Sequence, residues 1–287
     1  MSGEGHASGG QGTRPLHPVQ GGRWHGMRHA ATLALLLALF VLPVAVLLLQ
    51  AGAPGWRYPD VVPPELSWEG FVRTLQHPGT MLGALGSSVA YSLATVAMTV
   101  AMTLAPARFL AHAAFPGKHL LEGLLLTPAL VPAMTYSMGL HYAFIRIGLA
   151  DTTPGVVLVL AIAAYPYMLR ALTTAFVHLG PDYRTCARNL GASSWRTLRE
   201  VELPLLLPAL AAGGSVVFLV AFSEYFLVFL IGGGTVPSFT GYLFPAVTSS
   251  NRGLGAVVTL IFLMVPIGLF VVLEAALGGY HARRRMK

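Results

Sequence analysis

Residues 30–51 read AATLALLLALFVLPVAVLLLQA, a run without a single Asp, Glu, Lys or Arg. A helix needs about 20 mainly apolar residues to cross the hydrocarbon core of a bilayer, so this stretch predicts a membrane-spanning helix. Working outward, five more runs meet the same test: 82–106, 120–145, 154–177, 205–231 and 255–279. Several contain Pro and Gly, which spanning helices tolerate when neighbours re-satisfy the freed backbone groups. Composition agrees. The chain is 55% hydrophobic and 10% charged, with mean hydropathy +0.67, whereas a soluble domain carries roughly a quarter charged residues. The sequence therefore predicts an all-α integral membrane protein of six transmembrane helices.

An even number of spans places both termini on one side, and basic residues mark which. The tail before the first span holds Arg14, Arg23 and Arg28, and the loop after the second holds Arg108 and Lys118. The loop after the fourth holds Arg184, Arg188, Arg196 and Arg199, and the C-terminal tail holds Arg283, Arg284, Arg285 and Lys287. Only Arg57, Arg73, Arg146 and Arg252 lie opposite. Cytoplasmic loops carry the Lys/Arg excess, so both termini are expected in the cytoplasm. The net charge of +7 is thus an orientation signal, and no interleaved aromatics suggest a nucleic-acid surface. The first apolar run exceeds a secretory core, so a retained anchor is expected.

The expected organisation is a disordered basic tail over 1–29, an anchor helix over 30–51 and an outward connection over 52–81. That connection contains Trp56, Tyr58, Pro63, Pro64 and Trp68, residues suited to a membrane interface. A transmembrane domain over 82–279 and a basic tail over 280–287 follow.

The loop 178–204, between the fourth and fifth spans, is too polar to span and too patterned to be slack. Tyr183, Cys186, Ala187 and Leu190 recur at one-face helical spacing. Gly191 suits a left-handed helix terminus. Ser193 or Ser194 suits the cap of a second short helix carrying Trp195, Leu198 and Val201 and ending at Leu203–Pro204. Pattern alone leaves two readings open: a surface helix resting on lipid, or a docking element for a partner. Cys186 is the lone cysteine and reads as a small packing residue.

Thr185–Cys186–Ala187–Arg188–Asn189–Leu190–Gly191, then nine residues, then Val201–Glu202–Leu203–Pro204 resembles the loop signature of binding-protein-dependent ABC permeases, Glu-Ala-Ala, three residues, Gly, nine residues, Ile-x-Leu-Pro. Thr127–Pro128–Ala129–Leu130–Val131–Pro132 resembles that family's third span, and Tyr165–Pro166–Tyr167–Met168–Leu169–Arg170 its fourth. The resemblance covers spans two to six. It implies a type I importer permease in which Asp182, Tyr183, Thr185, Cys186, Ala187, Arg188, Leu190, Gly191 and Ala192, with Leu203 and Pro204, couple the spans to a separate ATPase. Thr185 stands where the family has Glu, and Asp182, one turn earlier, is a candidate substitute acid.

The implied partners are a cytoplasmic ABC ATPase dimer, a second permease chain (identical or homologous), an extracytoplasmic substrate-binding protein and membrane lipid. ATP and Mg belong to the ATPase, and this chain is expected to bind no cofactor. Gly117–Lys118 is followed by His119 and preceded at position 112 by His, so no phosphate-cradling G-x-x-x-x-G-K-[ST] loop exists there. No His pair at i, i+4 within a span suggests a metal.

Glu224, in Phe222–Ser223–Glu224–Tyr225–Phe226, is an ionisable residue inside a span and by default a functional candidate. It is either a cavity residue meeting a polar or cationic substrate or a structural hydrogen-bonding group. Ser223, Tyr225, Pro132 and Tyr136 are the other candidates for a translocation path. Arg170 reads as an interface-seeking side chain. The Pro-Tyr-x-x-Arg and Phe-Ser-Glu stretches resemble the branch serving polyamines, ferric iron, thiamine or phosphonates. The rival classes are an ATP-independent secondary transporter or channel, which would show more paired intramembrane charges, and a membrane enzyme, for which no catalytic constellation is present.

Overall fold

The computed structural model describes residues 22–285, apart from 54, 57, 58, 61, 64, 68–70 and 73–77. The expected tail up to residue 21, the aromatic candidates Tyr58 and Trp68, Arg57, Arg73 and Lys287 lie outside the described residues. The chain divides into two units, 1–47 and 48–287.

Among the described residues every regular element is helical. Helix α1, Gly22–Gly52, begins eight residues before the expected start and takes in part of the expected tail. Its residues from Leu33 to Leu42 are all apolar, as a helix surrounded by hydrocarbon requires.

Helix α2 spans Pro78–His112, and the third expected span is broken into α3, Lys118–Leu130, and α4, Ala133–Arg146, bent by 94°. Pro132 explains the break. It offers no N–H to continue α3, and its ring drives the preceding Val131 to an extended conformation (φ −95°, ψ 127°). Helix α5 is Thr153–Leu179, capped by the Thr152 side chain accepting from the Gly155 N–H. Among the described residues five helices are long and apolar enough to cross a membrane, or six when α3 and α4 count as one.

Helix α6, Asp182–Asn189, and α7, Ser194–Thr197, form the polar loop. The second loop helix does not end at Leu203–Pro204 as expected. A π-helical turn, Leu198–Glu202, carries it without interruption into α8, Leu203–Ser223. The Leu203 N–H reaches back five residues to the Leu198 carbonyl. This widened turn absorbs Pro204, which lacks an N–H and whose ring would press on the carbonyl four residues back.

The fifth span is broken as well. Glu224 is extended (φ −75°, ψ 118°), and α9 resumes over Phe226–Gly232. Helix α10, Phe239–Thr248, was not expected: its residues fall in the connection between the spans expected over 205–231 and 255–279. It is held in place by Phe239, fully buried against Phe222 and Phe262 (ring centroids 6.3 Å from each). Helix α11, Arg252–Arg285, completes the chain and absorbs most of the expected C-terminal tail.

Helices α2, α5 and α8 form the centre of the second unit. Lipid tails are as apolar as leucine, so helices in a bilayer associate through close packing rather than through removal of apolar surface from water. The contact faces are built accordingly. Ser88, Ser92, Thr95, Thr99, Thr103 and Ala107 make a fully buried small-residue stripe along α2. The threonine hydroxyls donate to carbonyls of their own helix, Thr95 to Tyr91 and Thr99 to Thr95 at 2.8 Å each, so the threonines carry little polar cost. On α8, Gly213 faces α5 so closely that a Cβ there would stand 2.9 Å from the Ala171 Cβ.

Candidate coupling surface and membrane path

Helix α6 opens with Asp182 in its first turn and carries Arg188 in its last, matching the helix dipole. Its end is a two-bond glycine cap: the Ala192 N–H donates to the Ala187 carbonyl (3.0 Å) and the Gly191 N–H to the Arg188 carbonyl (2.9 Å). Gly191 takes φ +81°, a conformation glycine adopts without penalty. Ser193 then caps α7, its hydroxyl accepting from the Arg196 N–H at 3.3 Å. Both sequence signals therefore produce the expected local structure.

The expected apolar face divides. Ala187 is 9% exposed and packs on its own chain, whereas Tyr183 (54%), Cys186 and Leu190 (89%) are exposed, as is Trp195 (69%). One small residue is buried, and the large apolar groups are exposed. Asp182 is exposed and makes no side-chain hydrogen bond or ion pair among the described residues. Thr185 donates to the Pro181 carbonyl of its own helix (3.0 Å). Leu203 and Pro204 are half-buried at the start of α8.

Beneath this surface lies a contact the sequence did not reveal. The Arg108 Nη2, near the end of α2, donates to the Glu202 Oε1 in the π turn at 2.7 Å. The Glu202 side chain is 4% exposed and that of Arg108 19%. Glu202 Oε2 and Arg108 Nε are buried without hydrogen-bond partners among the described residues. On either side are an open cleft of about 480 Å³ lined by Arg108, His112, Arg184 and Leu198, and one of about 220 Å³ lined by His112, Arg184, Arg188 and Glu202. The loop is thus tied by a buried ion pair to a helix 94 residues earlier. The available signal was a carboxylate directly before an apolar span, which demands a countercharge; sequence separation concealed which one.

The path candidates fall at two breaks. Pro132 is exposed at the α3–α4 bend, and the half-buried Tyr136 lies one turn into α4, its hydroxyl buried and unpartnered among the described residues. At the other break, Glu224 Oε1 accepts the Leu227 N–H (3.1 Å), and the Glu224 carbonyl accepts from Thr240 of α10 (3.2 Å). Glu224 therefore caps α9 and ties down α10. Ser223 is exposed and bonds back to the Leu219 carbonyl (2.7 Å), and Tyr225 stacks on Phe244 (4.8 Å). Arg146 is pinned on Tyr142, to whose oxygen it donates at 2.9 Å. Among the described residues no group of three or more His, Cys, Asp or Glu is placed to hold a metal.

A family model described as "Binding-protein-dependent transport system inner membrane component" matches residues 31–278. The chain is 26% identical over 255 residues to the molybdate/tungstate transport system permease protein WtpB of Thermococcus kodakarensis, covering 88% of this chain and 96% of that protein. It is 25% identical over 209 residues to the sulfate transport system permease protein CysT of Escherichia coli, covering 68% and 70%. A shorter match, 31% over 144 residues and 50% of this chain, is to the trehalose transport system permease protein SugB of Mycobacterium tuberculosis, 53% of which is covered. A crystal structure of a bacterial ABC transporter involved in import of the acidic polysaccharide alginate superposes with TM-score 0.72 at 15% identity, covering 91% of this chain and 99% of that one. None of these relatives carries the polyamine, ferric iron, thiamine or phosphonate expected from the short path motifs, and that expectation is corrected.

Proposed function

This chain belongs to the family of binding-protein-dependent transport system inner membrane components, and on that premise we propose that it forms half of the membrane path of an importer for a tetrahedral oxyanion, driven by a separate ATPase docked on α6. That it is an ABC permease, a multi-pass protein of the inner membrane, follows from the family and its apolar helices. The family implies an ATPase and a substrate-binding protein as partners.

The finer reading rests on one observation above the others. In helix α6 Ala187 is the buried residue, while Tyr183, Cys186 and Leu190 are exposed on a glycine-capped helix. An amphipathic helix in this state matches the groove-docking mode of recognition. Arg184, Arg188, Arg196 and Arg199 surround it, so the complementary groove carries acidic groups, and Asp182 supplies the one exposed carboxylate of α6 itself.

In this reading α3 and α4 count as one span, giving six, and the basic excess puts both termini and the coupling loop in the cytoplasm. Two permease chains, identical or homologous, enclose the path. ATP and Mg bind the ATPase dimer, whose closure displaces α6. The π turn and the Arg108–Glu202 pair pass that displacement to α8 and α2 together, and the bundle rocks between inward- and outward-open states. Glu224 preserves the geometry of the break beside the path. The oxyanion class rests on the similarity to the molybdate/tungstate and sulfate permeases, each of which spans more than two thirds of this chain; no finding favours an ATP-independent transporter or channel.

A photo-crosslinking residue at Leu190, in cells making the whole importer, is expected to capture the ATPase, and the same residue at Ala187 to capture it far less. Capture of phospholipid alone from Leu190, or uptake indifferent to ATP depletion, refutes the reading.

A further inference from the structure

We infer that Tyr167, Arg170 and Thr174 form the water-facing stripe of α5, and that Arg170 is the charge drawing the oxyanion through the path. The inference rests on the substrate class proposed above.

Helix α5 is the most enclosed of the apolar helices, with 61% of its most apolar window buried. Val159, Leu160, Ala164, Met168, Leu172 and Phe176 are 0–1% exposed. Tyr167, Arg170 and Thr174 nevertheless are exposed, at i, i+3 and i+7, which is one side of the helix. Arg170 lies nine residues before the end of α5 at Leu179, roughly 14 Å at 1.5 Å per residue. A guanidinium at that depth against lipid is costly, and such groups face a bundle interior or a wet cavity. Among the described residues Arg170 forms no salt bridge, so its charge is not already spent on the protein.

Its surroundings combine polar groups with leucines. A cavity of about 180 Å³ is lined by Arg170, Thr173, Thr174 and Glu122 with Leu126 and Leu169. Thr173 Oγ1 is buried there without a hydrogen-bond partner and has a proton to donate. One turn earlier on the same side, Tyr167 adds a phenol, so polar groups run along α5 from Tyr167 through Arg170 to Thr174. The planar guanidinium matches two oxygens of an oxyanion or phosphate. Glu122, near Lys118 (3.9 Å) and His119 (3.6 Å), presents a like charge to the same cavity, which keeps an anion from resting there. A path needs this balance, attraction sufficient to enter and too weak to trap.

The test uses the assembled importer in proteoliposomes, scored for uptake of molybdate, tungstate and sulfate and for binding-protein-stimulated ATPase activity. Arg170→Gln is expected to cut uptake at least tenfold with ATPase stimulation retained within twofold, and Arg170→Lys to keep a third or more of uptake. Full uptake by Arg170→Gln overturns the inference and leaves the substrate class standing. Failure of the unmodified complex to carry any of the three anions overturns both. Equal loss of uptake and ATPase activity marks a structural role, and loss of co-purified phospholipid with unchanged uptake marks a headgroup site; either result overturns the inference. Should Arg170 variants not assemble, Thr174→Cys decides: labelling by a hydrophilic methanethiosulfonate in a transporting complex supports the wet stripe, and absence of labelling overturns it.

Discussion

Removing Arg108 should harm this protein more than removing Glu202, although both changes break the same 2.7 Å ion pair. Arg108→Ala strands a carboxylate whose side chain is 4% exposed and whose second oxygen already lacks a partner among the described residues. Glu202→Ala strands a guanidinium that is 19% exposed and within reach of water from the adjoining cleft. Breaking a buried pair by removing one partner costs about 3–5 kcal/mol. The stranded carboxylate belongs at the upper end of that range and the guanidinium at the lower, a difference on the order of 1–2 kcal/mol. Replacing both by alanine removes the uncompensated charge and should cost clearly less than the two single changes added together, since a buried pair removed as a whole leaves no stranded charge. The cycle of single and double variants should therefore show a coupling of at least about 2 kcal/mol. Denaturant titration of the purified chain in mixed micelles measures all four corners. Additive effects, or a milder loss for Arg108→Ala than for Glu202→Ala, would show that the pair does not fix the loop to α2.

Gly191→Val forces a β-branched side chain to φ +81° and should cost at least about 1–2 kcal/mol locally; ATP hydrolysis continuing without substrate uptake would register the loosened lever, and normal coupling would exclude it. Gly213→Val introduces a Cβ 2.9 Å from the Ala171 Cβ and should destabilise α8 against α5 by about 1–3 kcal/mol, read as a lower yield of folded chain in the same titration. Gly233→Ala meets both φ +53° and the Asp151 carboxylate, whose Oδ1 occupies the space of the added Cβ. It should release the turn held by the Asp151 N–H to Ile231 carbonyl bond (2.8 Å) and increase proteolysis between α9 and α10. Asp182→Asn should impair ATPase coupling more than Thr185→Ala, because the Asp182 carboxylate is exposed while the Thr185 hydroxyl is bonded within its own helix; the reverse order would reject Asp182 as the substitute acid.

Hydropathy determined the all-helical class and most of the apolar segments, because a bilayer imposes a length and a polarity that composition must meet. Local chemistry determined the ends of α6 and α7, because a glycine at positive φ and a serine cap act within a few residues of chain. The helix breaks at Pro132 and Glu224 were less legible. Proline marks a point of weakness, but whether a spanning helix continues through it depends on what packs beside it. Helix α10 and the pairing of Arg108 with Glu202 were not legible at all. Each depends on segments far apart in sequence: Phe239 finds its place on Phe222 and Phe262, and Glu202 finds its charge 94 residues upstream. Tertiary structure also divided the apolar face of α6, burying Ala187 and leaving Leu190 outside. Periodicity assigns residues to a side of a helix, but only the packed neighbour decides which of them is covered.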